Sequence, residues 1–83
     1  MIIKIYESDE PAGPQSLVGT LTSRGSAVVP VSGDVSALND LLAHYNVFDP
    51  ALGRCLDPRT DGNRYLTRLA AQYQGSCYSA VVG

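Results

Sequence analysis

At Ser32 the hydrophobic period of this chain changes. Upstream, apolar residues recur at every second position, as in a pleated strand; downstream, through Tyr73, they recur at about 3.6, as in a helix. Strand and helix signals are therefore grouped along the chain rather than interleaved, until a last alternating stretch at the C-terminal end. Grouping of this kind predicts an α+β domain.

Three strand signals precede the change. Ile2 to Tyr6 is β-branched and aromatic, with Ile3 and Ile5 on one face and Ile2, Lys4 and Tyr6 on the other. Apolar bulk on both faces predicts a strand with neighbours on each side. SDEPAGP has turn composition, and QSLVGTLTS then sets Leu17, Gly19 and Leu21 against Val18, Thr20 and Thr22, so the first two strands should form a hairpin. After SRGS, Ala27 to Val31 is a third strand. Pro30 has no amide to donate to a ladder, so that strand should lie at an edge or stop there.

Two helices follow. Val35, Leu38, Leu41, Leu42 and Tyr45 form one apolar stripe, with Asp34 or Ser36 as cap and Asn46 as terminator. Tyr65, Leu66, Leu69, Ala70 and Tyr73 form a second, predicting a helix over about 62–74 with Asp61 at its N-cap and Gly75 at a left-handed C′ position. Ser76 to Val82 alternates again and closes the chain as a strand inserted in the sheet. The expected order is β-β-β-α-α-β: one domain, residues 1–83, with a three- or four-stranded mostly antiparallel sheet and two helices on one face. The other face, carrying Ile2, Tyr6 and Val18 or their alternates, should be half open.

With 83 residues, folding hides only about 60–65% of the unfolded surface. A core this thin leaves a net stability of roughly 3–5 kcal/mol, so a homodimer or protein partner is a natural source of the rest. Hydrophobic residues at 45% and charged residues at 17% exclude a disordered tail. A net charge of −2 argues against a nucleic-acid surface, although four of the six basic residues, Arg54, Arg59, Arg64 and Arg68, fall close together. No apolar run reaches the roughly 18–20 residues of a membrane span and no leader pattern opens the chain, so the expected location is cytoplasmic, with Cys55 and Cys77 as free thiols; in an exported protein the same pair would be able to form one bridge from the loop to the last strand.

Between the helices, FDPALGR and LDPRTDG repeat one pattern: Asp-Pro after an apolar residue, then Gly a few positions on. Turn chemistry accounts for it, since Asp accepts from amides two or three residues ahead and Pro presets φ. Asp49, Asp57, Thr60 and Asp61 are hard oxygen donors, yet the calcium-loop spacing and its bidentate Glu are absent and Arg59 intrudes, so no metal is expected. Arg64 and Arg68, one helical turn apart, suit an anion. The free amides at the start of the second helix would add to that, although Asp61 opposes it. His44 and the two cysteines show no spacing that joins them for thiol chemistry. No nucleotide, zinc or hydrolase motif appears and no cofactor is expected. A fold of this size is also expected to lack depth for a pocket of about 300 Å³.

Tyr45, Tyr65 and Tyr73 lie on core stripes, whereas Tyr6 and Tyr78, on strands, are candidates for an exposed face. The expected function is therefore a non-catalytic interaction module that binds a protein partner or itself through the open sheet face and the 47–62 loop. Its candidate contacts are Tyr6, Arg54, Asp57, Arg59, Arg64, Arg68 and Tyr78. The alternative is a small enzyme or toxin acting on nucleic acid, with the second helix's arginines on phosphate and His44 or an aspartate as acid or base.

Overall fold

The structure, a computed structural model, describes residues 1–83. Along the chain run β1 (Ile2–Glu7), β2 (Ser16–Arg24), β3 (Ala27–Gly33), α1 (Val35–His44), β4 (Phe48–Asp49), β5 (Arg54–Cys55), α2 (Gly62–Gln72) and β6 (Tyr78–Val82). A four-stranded antiparallel sheet has the order β3-β2-β1-β6, and β4 with β5 makes a separate two-stranded ribbon. The α+β arrangement matches the sequence reading, with this small ribbon added between the helices.

Burial follows the strand alternation. Ile3 and Ile5 on β1, Leu21 on β2 and Ala80 on β6 point to the helical side and are buried. Leu38 from α1 and Tyr65, Leu66, Leu69 and Tyr73 from α2 close over them. Each buried Ile or Leu among them contributes about 1.5–3 kcal/mol relative to exposure. β1, apolar on both faces, is indeed an interior strand. Pro30 does lie on the edge strand, where a bulge at Val31 lets β3 continue past it to Gly33.

A second bulge changes which residue reaches the open face. Ile5 pairs with Gly19 but Tyr6 pairs with Leu17, so Val18 is the extra residue. Leu17 turns outward and Val18 packs against the core, the reverse of the simple alternation. Gly19 and Gly33 make this corner possible. A Cβ on either would run into backbone of the other strand, and one on Gly19 would also meet Leu38 of α1 at 2.7 Å. Gly33 also has φ +93°, which side chains rarely adopt.

The helix ends depart from expectation in three ways. Asp34 caps α1, its Oδ1 accepting from the Ala37 amide at 3.1 Å, but Val35 lies 51% exposed, outside the apolar seam. Asp61 occupies the N-cap of α2 without bonding that helix's amides through its side chain. Gly75 is not a left-handed C′ residue: α2 ends at Gln72 with Tyr73 as C-cap, and Gly75 instead gives room to the Tyr78 ring, 2.6 Å from where its Cβ would be.

Candidate functional site

The repeated Asp-Pro sequence is a repeated structure. In the first copy, Asp49 Oδ1 accepts from the Ala51 amide at 2.9 Å, and the Asp49 carbonyl accepts from Leu52 and Gly53 at 3.2 and 2.8 Å. In the second, Asp57 Oδ1 accepts from the Arg59 amide at 2.8 Å, and its carbonyl from Thr60 and Asp61 at 3.1 and 2.8 Å. The first copy is the turn of the β4–β5 ribbon, with Gly53 at φ +68°. The second leads into α2 and is docked to the sheet: Val28 donates to the Pro58 carbonyl at 2.7 Å and Gly62 to Ser26 at 2.9 Å.

Every arginine of the segment and of α2 is held by one of these aspartates. Arg54 forks onto both oxygens of Asp61 at 3.0 and 3.1 Å, and Arg59 onto Asp57 at 3.2 Å through both Nε and Nη2. Arg64 reaches Asp49 at 2.8 Å, and Arg68 lies 3.5 Å from its other oxygen. Asp49 is fully buried, the core's one charged member, and ties the ribbon to α2. The Arg64 hydrogen bond keeps its carboxyl below the usual carboxylate range despite burial, aided by the Ala51 amide and Arg68. Arg59 likewise lowers Asp57 through its side chain and its amide. Arg54, then the Asp57 amide, brings Asp61 down to about 2. The segment is a braced linker, and a phosphate ligand would have to compete with these carboxylates.

The structure separates the remaining candidates. Tyr6 lies on the open sheet face, opposite Leu17 and Ser79. Tyr78 does not: it shares the helical side with Ala80, its ring 4.4 Å from that of Tyr73. The strand offset decides this, because Tyr78 pairs with Glu7 rather than Tyr6. The sequence also misses a groove of about 580 Å³ between α1 and the 56–59 segment, floored by Val28, Leu42 and Leu56 and rimmed by Asn39 and Asn46. Its signal is absent from either stretch read alone. His44 turns back on its own helix, Nδ1 3.0 Å from the Asp40 carbonyl, while Cys55 is exposed and Cys77 half-buried, both unbridged.

On the open face, Ile2, Leu17 and Val81 are 43, 53 and 47% exposed around the half-buried Lys4 and Tyr6. Both edges of the sheet are partly occupied. On β3, the Val28 amide is taken by Pro58 and Pro30 has none. On β6, the Tyr78 carbonyl accepts from Gly75 at 2.9 Å and the Ala80 carbonyl from the Gln74 carboxamide at 2.7 Å. No helix is long and apolar enough to cross a membrane. Comparison with protein-family models, curated proteins and solved structures gave no match.

Proposed function

We propose that this protein is a non-catalytic interaction module of the cytoplasm that docks a protein, either a partner or a second copy of itself, through the open face of its sheet. The observation that carries this reading is the exposure of Ile2, Leu17 and Val81 around Lys4 and Tyr6 on the open face of a sheet whose edges are partly occupied. Partly occupied edges discourage strand addition, so a partner of this sheet is expected to meet side chains. Such a face, with Lys4 and Tyr6 at its centre, apolar side chains around them and hydroxyl groups on Thr20, Thr22 and Ser79, has the amphipathic composition of contact surfaces. The 47–62 segment supports the helices behind it, and its charged groups are engaged internally. Two unbridged thiols are in keeping with a reducing compartment.

The test is capture from nuclease-treated native extract at two salt concentrations, alongside sedimentation of the pure chain, for the parent and for a Leu17→Asp, Val81→Asp variant. Expected is one stoichiometric protein, or self-association, that survives moderate salt and disappears in the variant while its Tm is retained. Binding that survives in the variant, or that falls steeply with salt as phosphate contacts do, would overturn the reading.

A further inference from the structure

Charge is partitioned in this fold. Four of the six basic residues are taken up internally, Arg54 by Asp61, Arg59 by Asp57, and Arg64 and Arg68 by Asp49. The two left without a carboxylate, Lys4 and Arg24, are on one side of the molecule. Lys4 lies between Ile2 and Tyr6 on β1 and pairs with Thr20 and Val81, while Arg24 follows Thr20 and Thr22 at the end of β2, and all of these point to the open face. No aspartate or glutamate occupies an outward position on any of the four strands. Glu7, at the end of β1, points the other way, where its Oε1 accepts from the Tyr73 hydroxyl at 3.2 Å. The charged side chains of the open face are therefore all positive, although the chain as a whole has a net charge of −2.

Position makes Lys4 decisive. β1 is an interior strand, and Lys4 sits between Ile2 and the paired Tyr6 and Leu17, beside Val81, so a partner that covers those apolar side chains also covers the ammonium. An ammonium taken out of water needs a carboxylate against it, and this chain supplies none on that face. From this charge distribution we infer that the occupant of the open face is an acidic protein other than this chain, which sets one carboxylate against Lys4 within an apolar contact and a second toward Arg24. The inference rests on the open-face reading above and specifies the charge of the partner. A second copy is the poorer match. In a two-fold contact a patch meets itself, which brings Lys4 and Arg24 against an identical surface with no acid, and like charges facing across a contact are unfavourable. Nucleic acid is also a poorer match. A strand rise of about 3.4 Å per residue puts Arg24 about 14 Å from Thr20, the neighbour of Lys4, and two cations so far apart among apolar side chains are not the basic track that a phosphate backbone rewards.

The experiment is a titration of the full chain, followed through its backbone amide resonances, with a blocked pentapeptide that alternates leucine and glutamate and with its glutamine and lysine counterparts. Saturable shifts at Lys4, Leu17 and Val81 are expected for the glutamate peptide. The glutamine peptide should bind about tenfold more weakly, the scale of one charged hydrogen bond, and the lysine peptide more weakly still. Lys4→Gln should bring the glutamate peptide down to the glutamine one. Lys4→Glu should reverse the order of the glutamate and lysine peptides, which damaged packing does not do. Arg24→Gln, at an exposed position, should weaken the glutamate peptide several-fold while keeping the parent's spectral dispersion. Sedimentation of the pure chain should show a monomer. Equal binding of the glutamate and glutamine peptides at the open face, or self-association that Leu17→Asp abolishes, would overturn the inference and leave the open-face reading standing. Shifts that never saturate, or that fall only on the helical side, would overturn the inference, and the capture experiment above then decides the open-face reading separately. A short oligothymidylate that binds the same residues more tightly than the glutamate peptide would overturn the assignment to a protein.

Discussion

Tyr65 shows how much a single group can be asked to tolerate. Its side chain is fully buried, its hydroxyl has no hydrogen-bond partner, and burial pushes its pKa up to about 12. A buried hydroxyl without a partner loses its hydration with nothing in return, yet the ring is a fully buried part of the core. Tyr65→Phe is therefore expected to be neutral or to stabilise by up to about 1 kcal/mol in urea unfolding; a loss greater than about 1 kcal/mol would mean that the hydroxyl is bonded after all. Asp49 is the opposite case, a buried charge with its bonds satisfied by Arg64, Arg68 and Ala51. Removing that carboxylate strands two guanidinium groups, whereas Asp57 holds only the exposed Arg59. Asp49→Asn should accordingly lower the Tm by several degrees and by clearly more than Asp57→Asn.

Among the elements, α2 does most to hold the layers together. It touches β2, β3 and β6, and Leu69 at its centre is fully buried. Leu69→Ala should cost about 2–5 kcal/mol, as large-to-small changes in a core do; equilibrium unfolding that registers less than half of the lower figure would mean that the site collapses without a cavity. The Asp-Pro units belong to this scale too. Turn residues at fixed offsets were legible because their hydrogen bonds are local, within four residues of each aspartate. What each unit then braces was not legible, since Asp49 meets Arg64 fifteen positions away.

For the whole molecule the three aspartates of the linker set the acid limit. Asp49, Asp57 and Asp61 all titrate below their ordinary value in the folded chain, Asp61 moving from 3.8 to about 2. A carboxyl with a depressed folded pKa stabilises above its unfolded pKa and loses that contribution as pH falls through the folded one. Thermal stability should therefore be flat above about pH 5 and fall between about pH 4 and 2. Asp61→Asn should flatten part of that slope; an unchanged slope would remove Asp61 from the linkage. The charge partition also gives the molecule two unlike sides, arginines bound to aspartates around α2 and free carboxylates near the end of β1 and along α1.

By itself the sequence determined the four strands of the sheet and the two helices, the buried face of β1, the apolar stripes of the helices apart from Val35, the edge position of β3 and the two turns, because each depends on period, on proline or on hydrogen bonds between near neighbours. Only the tertiary structure decided the rest. A one-residue bulge at Val18 exchanged Leu17 for Val18 on the open face, and pairing offset sent Tyr78 to the helical side. Side-chain pairing across the fold turned Asp61 from a helix cap into the partner of Arg54, and brought Glu7 and Asp40 to one concavity. These outcomes depend on strand register and on contacts between distant residues, which local periodicity does not encode.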